Sequence, residues 1–405
     1  MRGKRLRLSL AVLEAALATA LAVAVVGCSA GTGTTGTSGT SGGDAAAPIK
    51  IGAIVSLTGT YASLGGPEKN TLDMEVKRIN DAGGVNGRKI EVVIEDDGTD
   101  EAKAVAASSK LIDQDKVVAL IGATGTGQTM AVRGNVDRAG IPQVSMAGGS
   151  AVTAVFDPLV FQTPWPNRVV LPFELSYMKS HGITKIGVIS DTGGFGKDGL
   201  AVAQAEASKA GITIVENQPF NVGDTGMTTQ LTKIKGSSAQ AILLISSGAE
   251  AATVMKNAQQ LGIKMPIYGT HGNARVEFIK GAGSASEGFL FAAGKILIPE
   301  SWGTSTDEYK VSKDFVDRYS AAYNGEKPAT FAGHAYDALN IIVDAAKNVS
   351  GDITPAALRD QIEKTNGFVG IGGTFTFSPT DHNGLSAADL NMYQVKNATW
   401  VIAPK

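Results

Sequence analysis

Three glycine-rich loops contain the residue types and spacings that could do chemistry. The first loop, 122–129, follows an apolar run and precedes a helical pattern. It has the glycine spacing of a phosphate-binding loop, but Gln128 replaces the lysine that would reach the β- and γ-phosphates. The backbone N–H groups and the hydroxyls of Thr124, Thr126 and Thr129 could still hold one pair of anionic oxygens, such as a carboxylate. A plain strand-to-helix turn is the alternative.

The second loop, 194–199, has the Gly-x-Gly-x-x-Gly spacing of a dinucleotide-binding loop. Glu216 ends the next predicted strand, where an acid that binds a ribose is expected. An alternative function follows, a secreted Rossmann-type NAD(P)-dependent oxidoreductase that uses Gly194, Gly196, Gly199 and Glu216. However, three residues separate the preceding strand from Gly194, whereas a dinucleotide loop turns directly off its strand.

The third loop, Ala147 to Ser150, could pair exposed N–H groups with an anion, or could be a simple turn. The four histidines show no metal-ligand spacing, and no Gly-x-Ser-x-Gly nucleophile motif occurs. We interpret His181 as a helix C-terminal residue, and His334 and His382 as solvated or capping residues. His271 follows a predicted strand end and is a ligand-binding candidate. We therefore predict no catalytic set, no metal site and no cofactor.

The elements that must position these loops alternate between strand and helix. Parallel sheets covered by helices on both faces are expected from such alternation, with ligands at the carboxyl ends of the strands. The predicted strands of this part are 49–55, 89–95, 117–121, 142–145, 185–190, 212–216, 241–245, 266–268 and 288–292. Helical stretches at 304–323, 328–348 and 354–364 follow, and then antiparallel strands at 374–377, 391–395 and 399–402.

The first 28 residues have the pattern of an export signal. Basic residues precede an apolar run from Leu8 to Val26, and Val25-Val26-Gly27-Cys28 is similar to the lipobox of bacterial lipoproteins. That resemblance implies a signal peptide at 1–27, a lipidated Cys28 and membrane attachment through the lipid. A transmembrane anchor is the alternative, although Glu14 would be costly in a bilayer. Residues 28–48 form a predicted tether of mainly Gly, Ser, Thr and Ala.

Composition narrows the class of protein further. The 405 residues exceed one ordinary domain, and the apolar fraction of 43% is that of a folded chain. A formal net charge of −2 argues against a nucleic-acid binder that relies on a basic face. The single Cys excludes internal disulfides and cysteine-cluster metal sites.

Several motifs together resemble the branched-chain amino acid–binding, type I periplasmic binding proteins that serve ABC importers. The motifs are Ser56-Leu-Thr-Gly59, Ile79-Asn-Asp-Ala-Gly-Gly-Val-Asn-Gly87, Asp96-Asp-Gly-Thr-Asp100, Tyr336-Asp-Ala-Leu339 and Gly373-Thr-Phe-Thr-Phe377. The resemblance implies an α/β fold of two Rossmann-like lobes joined by three crossovers, which close as a hinge over the ligand. We place the lobes at 49–164 plus 294–372 and at 165–293 plus 373–405.

The same resemblance implies a function and partners. We expect a monomeric, non-enzymatic, extracytoplasmic receptor that delivers a small-molecule solute to ABC permease subunits. A ligand sensor without transport is a variant of this hypothesis. No nucleic-acid partner is expected.

The resemblance also implies a ligand site. Thr126 matches the hydroxyl residue that holds the ligand carboxylate, and Thr124 lies in the same loop. Phe195 and His271 match an aromatic position and the acid that receives an α-ammonium, respectively. The further matching positions are Tyr61, Leu64, Ala147, Gly149, Ser150 and Ser247. Because His271 replaces that acid, we expect a carboxylate without an amine, an amide, a urea-like compound or another amino acid-related solute.

Overall fold

A computed structural model describes residues 47–405. The predicted signal peptide, the lipidation of Cys28 and nearly all of the tether lie outside the described residues. Within residues 47–405, none of the helices combines the length and the apolar character that crossing a bilayer requires.

Residues 47–405 contain fourteen strands. They are β1 (Ile49–Val55), β2 (Ile90–Asp96), β3 (Ala119–Gly122), β4 (Gln143–Ser145), β5 (Val160–Gln162), β6 (Lys185–Asp191), β7 (Thr213–Phe220), β8 (Ala241–Ile245), β9 (Ile267–Gly269), β10 (Leu290–Gly294), β11 (Asn366–Val369), β12 (Thr374–Thr376), β13 (Leu390–Lys396) and β14 (Thr399–Ile402). The central strands are apolar along their whole length, as in Ala241–Ile245, because both faces of a parallel sheet are buried.

Twelve α-helices connect or cover these strands within the described part of the chain. They are α1 (Ala62–Asp81), α2 (Glu101–Asp113), α3 (Thr126–Ala139), α4 (Ala151–Ala154), α5 (Asn167–Ser180), α6 (Gly194–Glu206), α7 (Thr228–Gly236), α8 (Glu250–Gln260), α9 (Val276–Ala282), α10 (Asp307–Ala322), α11 (Thr330–Lys347) and α12 (Pro355–Ile362). Short 3₁₀ turns occur at His271–Asn273, Gly283–Ser286, Lys295–Leu297, Pro299–Trp302 and Ala387–Asp389.

The strands form two main sheets. The first is entirely parallel with the order β2-β1-β3-β4-β5. The second has the order β14-β13-β10-β9-β8-β6-β7, in which only β13 and β14 run antiparallel to their neighbours. We call the first sheet with its helices, including α11 against α1, the first lobe, and the second sheet with its helices the second lobe. A separate antiparallel pair joins β11 to β12.

Most predicted elements are confirmed, and the differences have physical reasons. The three-residue β5 and the four-residue α4 were not predicted, because so few residues give no periodic signal. The strand predicted at 212–216 runs on to Phe220, through polar residues that a pattern of apolar residues does not mark as strand.

The chain passes between the lobes through segments that are tied to their surroundings by buried side chains. The Asp337 carboxyl group of α11 accepts the N–H groups of Ile371 and Gly372 at 2.6 and 2.8 Å. Asn383 donates to the carbonyls of Gln162 and Pro164 at 3.0 and 2.8 Å. We call these two clusters the hinge contacts.

Candidate functional site

A small cavity lies where the carboxyl ends of the two sheets face each other. Both lobes contribute apolar side chains, hydroxyls and one imidazole each to its wall. The lining residues are Leu64, Thr124, Gly125, Thr126, Met146, Gly148, Pro164, Phe195, Ser247, His271, Gly272, Phe331 and His334. This is the position at which open parallel sheets bind ligands.

Six of the ten predicted ligand-binding residues line this cavity. They are Leu64, Thr124, Thr126, Phe195, Ser247 and His271. Tyr61, Ala147, Gly149 and Ser150 are buried nearby but do not line it. The N–H groups of Gly149 and Ser150 are used within the protein, because they donate to Thr126 Oγ1 and to Asp198.

Sequence reasoning missed several lining side chains, of which His334 is the most polar. His334 is 3% exposed on α11, so its interpretation as a solvated or capping residue is wrong. The same interpretation is wrong for His382, which is buried and hydrogen-bonds the Val160 carbonyl. The apolar residues around His334, from Phe331 to Ile342, were a usable signal, since a polar residue in an apolar helix stripe lies inside the protein. His181 does lie at the C-terminal end of α5, as predicted.

The first-lobe wall is fixed by short hydrogen bonds. Thr126, the first residue of α3, accepts the Gly149 N–H at 3.1 Å through its Oγ1, so its own hydroxyl hydrogen remains available to a ligand. Thr124 accepts the Ser56 N–H at 3.0 Å, and its Oγ1 lies 2.5 Å from the Glu68 carboxyl.

Glu68 sits behind Thr124 and is fully buried. Burial raises the pKa of Glu68 well above its ordinary value, against the hydrogen bond from Thr124 that lowers it. The Thr124 hydroxyl donates to Glu68 Oε2, so Glu68 fixes the Thr124 side chain at the cavity wall.

Two helices begin at the cavity. Helix α3 starts at Thr126 after β3, and α6 starts at Gly194 after β6. The two starts are in contact, because a Cβ on Gly194 would lie 2.5 Å from the Gly127 backbone nitrogen. Each helix start carries a partial positive charge, which favours an anionic group nearby. At α6 the buried Asp191 carboxyl already accepts the N–H groups of Gly193 and Gly196, so the start of α3 is the one that remains for a ligand.

The second-lobe wall carries the least satisfied polar side chain of the site. His271 is 3% exposed, and neither ring nitrogen makes a well-formed hydrogen bond to a described residue, although Nε2 lies against the Gly148 backbone. Burial lowers the pKa of His271 to about 4, against a backbone contact with Gly148 that acts in the opposite direction. The imidazole is therefore neutral at physiological pH and can donate at one nitrogen and accept at the other. The Phe195 ring contacts it edge-on at 5.3 Å.

His334 faces the cavity from the first lobe. Its Nδ1 has no partner within residues 47–405, and the rings of Trp165 and Phe331 meet it edge-on at 5.7 and 5.9 Å. Burial lowers the pKa of His334 to about 3, and the neighbouring His271 acts in the same direction. Both imidazoles of the cavity are therefore uncharged.

None of the described residues that line the cavity is Asp, Glu, Lys or Arg. Asp191 is buried behind the second-lobe wall, where its Oδ1 accepts the Gly193 N–H at 2.9 Å. Burial raises the pKa of Asp191 to about 6. Arg275 is also buried behind this wall, and it donates to the carbonyls of Gly248 and Gly272 rather than into the cavity. Within residues 47–405, no group of three or more metal-ligating side chains is assembled.

The loop at 194–199, which suggested the dinucleotide-binding alternative, packs a helix onto the sheet. A Cβ on Gly196 would lie 2.1 Å from the Asp191 carbonyl, and one on Gly199 would lie 2.5 Å from Ile245. These glycines therefore allow close packing of α6 onto the sheet. Glu216 pairs with Gly187 near the start of β6, four residues before Asp191, which ends that strand. The prediction that Glu216 ends its strand is wrong, because β7 continues to Phe220. Glu216 therefore lies four residues, or about 13 Å, from the carboxyl edge of the sheet, where ligands bind.

Comparison with known proteins places this geometry among related chains. The family described as periplasmic binding protein matches residues 48–399. The chain is 27% identical to Leu/Ile/Val-binding protein homolog 3 of Brucella melitensis, over 82% of this chain and 88% of that protein. It is 24% identical to the leucine-, isoleucine-, valine-, threonine-, and alanine-binding protein of Pseudomonas aeruginosa, over 86% of this chain and 90% of that protein.

Solved structures of such proteins are also similar to this chain. An extracellular ligand-binding receptor from Rhodopseudomonas palustris HaA2 has a TM-score of 0.82 at 28% identity, over 88% of this chain and 99% of that one. The branched-chain amino acid transporter substrate binding protein LivJ from Streptococcus pneumoniae, in complex with isoleucine, has a TM-score of 0.77 at 28% identity. That match covers 87% of this chain and 97% of that one.

Proposed function

The chain belongs to the periplasmic binding protein family, and from this premise we propose that it is an extracytoplasmic receptor that clamps a small polar solute between its lobes and delivers it to an ABC importer. The observation that carries the proposal is the cavity between the sheets, where His271 and His334 present unpaired ring nitrogens from opposite lobes. Buried polar groups are paired in most native structures, so unpaired ones that line a cavity are suited to a ligand.

Closure of the lobes is supported by contacts across the cleft. The Thr60 carbonyl of the first lobe accepts the Ala249 N–H of the second lobe at 3.2 Å. Tyr61, the next residue, is 4% exposed and packs with Leu64 and Phe331. In the proposed cycle, solute binding favours this closed arrangement and the permease receives the closed form.

The ligand that we propose is a small carboxylate, an amide, a urea-like compound or an amino acid-related solute. LivJ of Streptococcus pneumoniae holds isoleucine, so a free amino acid is the natural competitor. Its α-ammonium would need a carboxylate partner, because a buried unpaired charge is strongly disfavoured. No carboxylate lines the cavity among the described residues, which favours a solute without an amine.

The proposal extends to attachment and organisation. Lipidation of Cys28 would hold the protein at the membrane, and the tether at 28–48 would let the two lobes move as a monomer beside the permease. The lobe boundaries at 49–164 plus 294–372 and at 165–293 plus 373–405 belong to the same proposal. Labelling with a radioactive fatty acid in a bacterial host tests the anchor, and a Cys28→Ala variant must lose the label.

A thermal-shift screen of the mature protein tests the receptor function. The panel contains amino acids, carboxylates without an amine, amides and urea-like solutes, together with NADH as a control for the oxidoreductase alternative. A solute at a hundred times its Kd stabilises a binding protein by about 2.7 kcal/mol, so a clear rise in melting temperature is expected for at least one class. A rise with NADH and with no solute would contradict the proposal.

A further inference from the structure

On the premise of the proposed receptor function, the hydrogen-bond donors and acceptors of the cavity indicate one kind of ligand within the proposed class. We infer that the cavity takes a 2-oxo or 2-hydroxy carboxylic acid with an apolar side chain. The carboxylate lies at Thr126 and the start of α3, and the oxygen on C2 is bound by His271 and His334.

We expect the carboxylate of the ligand to bind where the protein offers hydrogen-bond donors to it. The Thr126 hydroxyl hydrogen is free, since Oγ1 already accepts the Gly149 N–H. Helix α3 begins here, and its first N–H groups have no acceptor within the helix, whereas the Gly193 and Gly196 N–H groups at the start of α6 already donate to the Asp191 carboxyl. The Thr126 hydroxyl and the start of α3 together offer an anion several donors and a favourable dipole field.

Thr126 and His271 come from different lobes but contact the same loop, at Gly149 and Gly148 respectively. A Cβ on Gly149 would come within 2.4 Å of the Thr126 methyl, and a Cβ on the preceding Gly148 would come within 2.2 Å of His271 Nε2. The hydroxyl and the imidazole therefore contact consecutive residues. A carboxylate held by Thr126 consequently brings its C2 substituent next to the His271 ring.

His271 and His334 decide which substituent fits at C2. Each neutral imidazole offers one N–H donor, and His334 approaches from the opposite lobe. An oxo or hydroxyl oxygen accepts from such donors. An ammonium brings three further donors and a charge into a cavity that no described carboxylate lines.

Apart from the hydroxyls of Thr124 and Ser247, the rest of the cavity wall is mainly apolar. Leu64, Met146 and Phe331 cover it from the first lobe, and Phe195 covers it from the second. This surface suits a branched aliphatic or aromatic side chain and offers nothing to a second charged group.

Isothermal titration of matched ligands tests the inference. Two side chains, isobutyl and benzyl, are each tested in four compounds. These are the 2-oxo acid, the 2-hydroxy acid, the acid without a C2 oxygen and the α-amino acid. For at least one side chain, the oxygen-bearing acids should bind roughly tenfold more tightly than the plain acid and roughly a hundredfold more tightly than the amino acid.

A His271→Glu variant should reverse the order, because the new carboxylate pairs with an ammonium and repels the acids. A His271→Gln variant keeps the site neutral and should lose only the tenfold preference for the C2 oxygen. It also serves if the Glu variant does not fold. His181→Gln, at an exposed helix end, is the matched control and should change nothing.

Two results would overturn the inference. If the wild-type protein binds the amino acid most tightly, the ligand class is wrong while the receptor function stands. If no member of either series binds, the inference is also wrong, and the broad thermal-shift panel then decides separately whether the receptor function survives.

Discussion

The hinge contacts and the cavity wall are both buried, but their polar groups differ in hydrogen bonding. At the hinge, both oxygens of Asp337 accept backbone N–H groups, and the Asn383 amide donates to two carbonyls. In the cavity, neither ring nitrogen of His271 makes a well-formed hydrogen bond to a described residue. Burial alone therefore does not mark a binding site. The unpaired nitrogens of His271 also line a cavity, which distinguishes them from buried unpaired atoms elsewhere, such as the carboxyl oxygens of Glu174. Each region can be perturbed separately.

Loss of the Asp337 carboxyl group should give the largest effect. Asp337→Ala leaves the N–H groups of Ile371 and Gly372 buried without an acceptor, which should cost about 3 kcal/mol of the free energy of unfolding. Urea denaturation measures this cost. Asp344→Ala, an exposed position on the same helix, is the control and should stay within about 0.5 kcal/mol of wild type. Equal losses in the two variants would show that the hinge contact is not important for stability.

The next largest effect should be on binding. Thr126→Val keeps the shape of the side chain but removes its hydroxyl, so affinity for the best solute of the panel should fall roughly tenfold. The Gly149 N–H also loses its acceptor, so unfolding must be measured on the same variant. Thr232→Val, on the exposed side of α7, should bind as wild type does. An unchanged affinity in Thr126→Val would remove the first-lobe wall from the site.

The two regions should respond to pH in opposite directions. Burial raises the pKa of Asp337 to about 8, so the folded protein retains a proton that the unfolded chain loses above about pH 4. The stability that this group contributes is lost as the pH rises towards 8. His271 and His334 have pKa values of about 4 and about 3 when folded, so the unfolded chain takes up protons first below about pH 6.5. Their contribution is lost as the pH falls from 6.5 to 4.

Two variants test the loss of stability at high pH and the loss at low pH separately. Asp337→Asn should reduce the loss of stability between pH 5 and 8, and His271→Gln should reduce the loss below pH 6.5. Melting temperatures across this pH range provide the measurement. The assignment would be contradicted if Asp337→Asn changed only the loss below pH 6.5, or if His271→Gln changed only the loss between pH 5 and 8.

The smallest effect is expected at Glu68. Burial raises the pKa of Glu68, and Glu68→Gln keeps the shape of the side chain and the oxygen that accepts the Thr124 hydroxyl, so affinity should change by no more than about threefold. Glu68→Ala removes the support behind Thr124 and should weaken binding more. If the Gln variant loses as much affinity as the Ala variant, Glu68 is charged in the folded protein.

Much of the fold followed from sequence patterns, since buried parallel strands are continuous apolar runs and helices show their own period. Glu216 was misplaced because β7 continues through polar residues to Phe220, which an apolar pattern cannot reveal. The short β5 was missed because three residues are too few for any periodic signal.

The candidate site was only partly predictable. Thr126, Phe195 and His271 were found because they follow strand ends or match family positions. His334 was missed because it sits in the middle of a helix and reaches the cavity only through the packing of α11 on the first sheet. Ser150 follows a strand end as well, but local hydrogen bonds to Asp198 and Arg168 occupy it. Sequence alone does not reveal such local competition.

The central claim is that the ligand is bound between His271 and His334. Nitrogen NMR of histidine-labelled protein tests it directly, because the chain has only four histidines. Addition of the solute with the largest thermal shift should move the ring signals of His271 and His334, while those of His181 and His382 stay in place. Saturation with that solute without any change at His271 and His334 would contradict the claim.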